Sequence, residues 1–164
     1  MKKIGLYEVS VITCFALLPI LAVIVDIFIL RSQVNVFGVM YKWFVFSGVG
    51  LRLFTAGLKQ VTNPSFTAKE IFKTSEEKSF LIVKEVGLAN ISIGLVGILS
   101  LFFSEFRLAV SIVGGLYFGL AGCLHLFNNV RSREEIFPMI SDFYIFFVLL
   151  ILTIINCIND NVIT

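Results

Sequence analysis

The chain has 164 residues, of which 58% are hydrophobic and 15% are charged, and its formal net charge is +2. Soluble domains contain roughly 45 to 50% apolar residues, so this composition excludes an ordinary soluble domain. Its Lys and Arg residues form no basic run interleaved with aromatic residues, which excludes a nucleic-acid-binding protein of the usual kind.

The apolar residues lie in blocks of about 20, each long enough to cross a hydrocarbon core about 30 Å thick. This pattern predicts an all-α fold, a polytopic transmembrane bundle of about five helices, with a four-helix core plus one. We expect a single integral-membrane domain, residues 1–164, whose first partner is the lipid bilayer.

The first predicted span runs from about Ile4 to Leu30, and Pro19 is expected to kink it near the middle. Glu8 interrupts the apolar run early, so we expect this helix to be retained and not cleaved as a signal peptide. Glu8 and Asp26 are about five helical turns apart, which places both carboxylates on one face, directed into the bundle.

The second predicted span runs from about Val36 to Leu58. Lys42 and Trp43 near its start are typical of the headgroup level of a membrane. Arg52 lies deeper and shares a face with Gly48, so it sits where another helix can approach closely.

Residues 59–78 form the one substantial hydrophilic segment, which we interpret as a cytoplasmic loop. Thr67 and Glu70 have the spacing of a capping box, which predicts a short amphipathic surface helix to about Lys73. The segment Thr74–Glu77 has the same spacing and is expected to start the third span.

The third predicted span runs from Lys78 to Ser104. Glu85 and Ser92 fall on one side of it, and a narrow face of small residues falls on another. That second face is formed by Gly87, Asn90, Gly94 and Gly97. Small residues at helical spacing let transmembrane helices pack closely, so this span is expected to contact two neighbours.

The turn Ser104–Arg107 is short, so the third and fourth spans are expected to form an antiparallel hairpin. The fourth span runs from about Leu108 to Asn129. A second small-residue face follows it and consists of Gly115, Gly119 and Gly122. His125, the only histidine, lies one turn beyond that face.

A charged loop, Arg131–Glu135, leads to the fifth predicted span. Pro138 suits the first turn of this helix. Asp142, Thr153 and Asn156 lie along one of its sides.

The distribution of Lys and Arg predicts an N-terminus in the cytoplasm and a C-terminus outside, in a cell inner membrane. The basic residues then left outside are mainly Arg31 and Arg107. The basic residues placed in the cytoplasm are Lys2, Lys3, Lys59, Lys69, Lys73, Lys78, Arg131 and Arg133.

Counted from the nearest loop charges at 1.5 Å per residue, Arg52, Glu85, His125 and Asp142 each lie about 10 Å below the cytoplasmic end. Glu8 lies slightly nearer that surface. A charge inside a membrane indicates a functional site by default, because its burial is unfavourable unless it is paired or hydrated. Asp26 lies near the outer face, where Arg31 or Lys42 could neutralise it.

The simplest arrangement pairs Arg52 with Glu85 or Asp142 and leaves His125 hydrogen-bonded to a carboxylate. Such a layer, with Asn90 and Glu8 nearby, predicts a site that binds a small solute or passes a proton. The competing interpretation is that these charges only fix helix register, and that the protein is a non-catalytic membrane subunit or scaffold that associates through its small-residue helix faces. A homo-oligomer, another membrane partner and a small-molecule ligand all stay open.

An enzyme is the less favoured interpretation, since no catalytic triad or phosphate loop is present. We expect no cofactor and no metal, because the three cysteines, Cys14, Cys123 and Cys157, are far apart and lack metal-ligand spacing.

The segment Glu85–Asn90 followed by Gly94 and Gly97, together with Ala68–Phe72, resembles a family of small bacterial membrane proteins of unknown function. With His125 and Asp142 included, the resemblance covers roughly residues 36 to 155. That family is distantly similar to the DoxX-like helical bundles, and this likeness implies, as a third hypothesis, a redox-associated membrane subunit. The charged segment 131–135 departs from the neutral connection expected there, and no site residue is implied.

Overall fold

The computed structural model describes residues 5–30, 35–70, 76–127 and 133–163. These segments contain six helices and no strand, and five of the helices are long and apolar enough to cross a membrane. The predicted all-α bundle is therefore confirmed. Its helices are α1 Leu6–Ile29, α2 Val36–Thr62, α3 Pro64–Glu70, α4 Glu77–Leu99, α5 Glu105–Phe127 and α6 Arg133–Ile163.

Helix α2 is the centre of the bundle and packs against each of the other five helices. Half of its membrane-spanning part is buried within the protein, the largest share of the five spans. Its side chains Val45 and Val49 are fully buried, and they meet Phe15 of α1, Phe118 of α5 and Ile145 of α6 in one apolar core.

Three stretches of the first two helices widen into π-helical turns: Thr13–Leu17 and Val25–Ile29 in α1, and Val45–Leu51 in α2. The first of them precedes Pro19, whose ring cannot donate a backbone hydrogen bond and crowds the carbonyl one turn earlier. Wider turns of this kind are rare and change which side chains face the core.

The α2–α4 contact depends on glycine. A Cβ atom added to Gly94 would lie 2.3 Å from the Phe54 nitrogen, and one added to Gly97 would lie 2.6 Å from the Gly50 Cα. Since real Cβ contacts are not that short, the two antiparallel backbones can touch only because these residues lack side chains. The predicted face of the third span is thus used for packing inside the chain.

The second small-residue face packs α5 against α6. A Cβ atom on Gly119 would lie 2.9 Å from the Phe146 ring, and one on Gly122 would lie 3.2 Å from the Phe143 ring. Gly115 is different, because an added Cβ would meet only the Leu149 Cβ at 3.8 Å. Both small-residue faces are covered by helices of the same chain.

The prediction that a capping box at Thr67 starts the short helix is wrong. The short helix α3 begins at Pro64, and the Asn63 side chain accepts a hydrogen bond from the Phe66 nitrogen at 3.2 Å. Asn63 and Pro64 are a stronger start signal than the downstream threonine, so Thr67 falls inside the helix and is buried.

Two other boundaries also differ from prediction. Helix α4 ends at Leu99 and α5 begins at Glu105, so the connection of this hairpin is 100–104 and Arg107 belongs to α5. Helix α6 begins at Arg133, which places Pro138 inside the helix and not in its first turn. The proposed second capping box at Thr74 and the loop residue Arg131 lie outside the described residues.

Candidate polar site between helices α1, α2 and α6

Arg52 is held in the bundle by the π-helical turn that ends directly before it. Its guanidinium carbon lies 5.3 Å from the centre of the Tyr7 ring of α1, a cation–π distance. The Tyr7 ring makes an edge-to-face contact with Phe137 of α6, with ring centres 6.2 Å apart. Three helices therefore fix the surroundings of this arginine.

Asp142 of α6 belongs to the same surroundings and interacts electrostatically with Arg52. No nitrogen of Arg52 lies within 4.0 Å of a described carboxylate oxygen, so the pair is close without forming a direct ion pair. The Nε atom of Arg52 is buried and has no hydrogen-bond partner among the described residues. The Nε–H donor of the guanidinium is thus unused within the described part of the chain.

Glu8, at the first turn of α1, is half-buried and interacts electrostatically with Tyr7. Its carboxylate folds back over the Cα of Gly5. The predicted residues that this region brings together are Arg52, Asp142 and Glu8, and Tyr7 joins them. We call these four residues the inner polar site.

Glu85 does not belong to the inner polar site. It is exposed, on the side of α4 opposite the glycine face. Gly87 contacts Gln60 and Val61, which puts Glu85 level with the end of α2 at Thr62. Arg52 lies about 15 Å from that end along the helix axis, so the proposed Arg52–Glu85 pair is not formed.

Asn90 and His125 also lie apart from Arg52. Asn90 is buried, and its side-chain nitrogen donates to Gln60 Oε1 at 2.8 Å, which links α4 to the end of α2. His125 is half-buried in the last turn of α5, and within the described part of the chain it has no hydrogen bond to a carboxylate. The predicted common layer is therefore divided among several places.

A second charged cluster lies at the opposite end of the bundle. Asp26 is 4% exposed, and its carboxylate forms an ion pair with Lys42 and accepts a hydrogen bond from Trp43 Nε1 at 2.8 Å. This finding agrees with the expected neutralisation of Asp26 by Arg31 or Lys42, of which Arg31 lies outside the described residues. Asp26 lies in the second π-helical turn of α1, and Arg52 directly follows the π-helical turn of α2.

Tyr7 was missed by sequence reasoning, which gave weight to Glu8 beside it. The available signal was its place in the first turn of α1, at the same end of the bundle as Arg52. In the described segments, no three His, Cys, Asp or Glu residues are grouped so that they could hold a metal ion.

Comparison with known proteins gives one finding about family. The model of a family of unknown function, DUF6790, matches residues 9–160 of this chain. No curated protein and no solved structure matches it. Nothing in these comparisons confirms the DoxX-like resemblance.

Proposed function

The chain belongs to the DUF6790 family, whose function is unknown, and from its own side chains we propose that it is a membrane protein that binds a small polar solute, or passes a proton, at the inner polar site. The observation that carries this proposal is the buried Nε of Arg52, which has no hydrogen-bond partner among the described residues and lies beside a carboxylate that it does not pair with directly. A charge left in this state inside a membrane is unfavourable unless a further molecule satisfies it.

The chemistry of the two groups defines what that molecule is. A guanidinium only donates hydrogen bonds, and an ionised carboxylate only accepts them. A molecule between Arg52 and Asp142 must therefore accept from one and donate to the other. Water does so, and so does a small neutral solute with an amide or hydroxyl group.

We assign the inner polar site to the cytoplasmic half of the membrane. The assignment is supported by the excess of Lys and Arg in the segment that follows α2 and in the N-terminal residues, according to the positive-inside rule. In this orientation the Asp26–Lys42 pair lies toward the outside.

The scaffold hypothesis required a free small-residue face for a partner. The faces containing Gly94 and Gly119 are both occupied by helices of the same chain. No other observation favours a purely structural role, so the inner polar site is the better basis for a function.

The test is transport by the purified protein in liposomes. A trapped pH indicator would follow the decay of an imposed pH gradient, and light scattering would follow swelling driven by urea or glycerol. We expect faster decay or faster swelling than in empty liposomes, and we expect Arg52→Gln and Asp142→Asn each to reduce the rate about tenfold or more, since each removes a charged hydrogen-bond partner.

Glu85→Gln is the matched control, because Glu85 is an exposed carboxylate outside the inner polar site. It is expected to keep the rate of the unmodified protein. Rates equal to those of empty liposomes in both assays, or equal losses for all three variants, would refute the proposed function.

A further inference from the structure

A second polar feature lies between α5 and α6, away from the inner polar site. It is a cleft of about 120 Å³ whose lining includes Ser111, Gly115, Leu149 and Thr153. Exposed side chains such as Leu116 stand at its edge, so it opens toward the lipid-facing surface of the bundle.

Gly115 keeps this cleft open. Added Cβ atoms on Gly114 and Gly119 would lie 2.6 Å from Val49 and 2.9 Å from Phe146, so those glycines are required by packing. An added Cβ on Gly115 would lie 3.8 Å from Leu149, an ordinary contact distance. The missing side chain at this position therefore leaves space and does not serve a close helix contact.

A chain of buried hydroxyl groups ends at the cleft. The oxygens of Ser111 and Thr153 are 2.8 Å apart, and Thr153 Oγ1 lies 3.4 Å from the Tyr41 hydroxyl. The Tyr41 hydroxyl lies 3.4 Å from the carbonyl oxygen of Arg107. Ser111 and Tyr41 are each 1% exposed and are shielded, whereas Thr153 is half-buried and lines the cleft.

The direction of the hydrogen bonds follows from the carbonyl at the far end. The Arg107 carbonyl can only accept, so Tyr41 donates to it, and Tyr41 then accepts from Thr153. Since the Thr153 hydrogen is used, the bond between Ser111 and Thr153 must be donated by Ser111. All three hydroxyl hydrogens are thus committed, and Thr153, which lines the cleft, has only acceptor capacity left.

We propose that this cleft binds the hydroxyl end of an aliphatic alcohol dissolved in the membrane. The alcohol donates to Thr153, and its carbon chain lies along the apolar walls beside Leu149. Ketones and esters, which only accept hydrogen bonds, do not satisfy this site. Water has the same donor group but needs about two to four polar partners, whereas the walls other than Ser111 and Thr153 are apolar.

The test measures binding of 1-hexanol to the full chain in nanodiscs by saturation-transfer NMR, with 2-hexanone and hexane as comparison ligands. We expect 1-hexanol to bind at least about twofold more tightly than either, the lower end of the effect of one hydrogen bond. Gly115→Ala, which places a methyl group in the cleft, and Thr153→Val, which removes the hydroxyl at similar side-chain volume, are each expected to weaken 1-hexanol binding by a similar factor.

Leu120→Ala is the control, because Leu120 is 68% exposed on the same helix and does not line the cleft. It should leave the affinity for 1-hexanol unchanged. If Thr153→Val does not fold, Gly115→Ala decides the result, since it keeps all three hydroxyl groups. Equal binding of 1-hexanol and 2-hexanone, unchanged binding in Gly115→Ala, or a cleft that holds only water would overturn the proposal.

Discussion

Gly50 of α2 and Gly97 of α4 bring two helix backbones into direct contact. A Cβ atom on Gly97 would lie 2.6 Å from the Gly50 Cα, and one on Gly50 would lie 2.8 Å from the Gly97 carbonyl carbon. Because the obstructing atoms are backbone atoms, no side-chain rotation can relieve the clash. The α2–α4 contact therefore cannot accommodate a side chain at either position without a shift of the backbone.

We predict that Gly97→Ala destabilises the protein by about 1 to 3 kcal/mol, the usual effect of overpacking. Reversible unfolding of the purified protein in detergent mixed with SDS would measure it. The matched substitution Gly115→Ala adds the same methyl group at an ordinary contact distance of 3.8 Å from the Leu149 Cβ and should not destabilise the protein, since Ala favours a helix over Gly. Equal losses in the two variants would contradict the backbone-contact explanation.

We predict that Lys42→Met destabilises the protein by about 3 kcal/mol, because it removes a cation that pairs with the buried carboxylate of Asp26. The double variant Asp26→Asn with Lys42→Met should lose less than the single variant, since the buried charge is gone. Lys84→Met, at an exposed lysine, is the control. The same unfolding assay applies, and a double variant as unstable as the sum of both single variants would argue against coupling.

We predict that Ser47→Ala lowers the unfolding free energy by about 1 kcal/mol. The Ser47 hydroxyl is fully buried and donates to the Cys14 carbonyl at 2.6 Å, which joins the π-helical turns of α1 and α2. Ser92→Ala removes an exposed hydroxyl bonded within its own helix, so its effect should stay below about 0.5 kcal/mol. Equal losses of unfolding free energy in the two variants would mean that the interhelical hydrogen bond adds no stability.

The orientation can be checked by thiol labelling. With the native cysteines replaced, Ser104→Cys should react with a membrane-impermeant maleimide in intact cells, whereas Asn63→Cys should react only after permeabilisation. Both positions are exposed, so access depends on the side of the membrane and not on burial. The reverse pattern would place the inner polar site in the outer half.

The sequence was sufficient where a helix is regular. Gly87, Gly94 and Gly97 lie on one uninterrupted α-helix, so counting 3.6 residues per turn correctly put them on a buried face and put Glu85 on another side. The expected neighbourhood of Asp26 and Lys42 also followed, because both are near the same ends of consecutive antiparallel helices.

The sequence was insufficient where helices contain π-helical turns or are offset from one another along their axes. Two π-helical turns lie in α1, so a turn count at 3.6 residues per turn between Glu8 and Asp26 does not hold. The depth of Glu85 was counted from loop charges, but α4 starts beyond the end of α2, and only the contacts of Gly87 reveal that offset.

The central position of α2 has a mechanical consequence. Arg52 and Lys42 are about 15 Å apart along this helix, and the fully buried Val45 and Val49 hold the segment between them in the core. If a molecule bound beside Arg52 turns or tilts α2, it must also move Lys42 relative to Asp26 at the other end of the helix. Binding at the inner polar site would then change the geometry of the Asp26–Lys42 ion pair at the opposite side of the membrane.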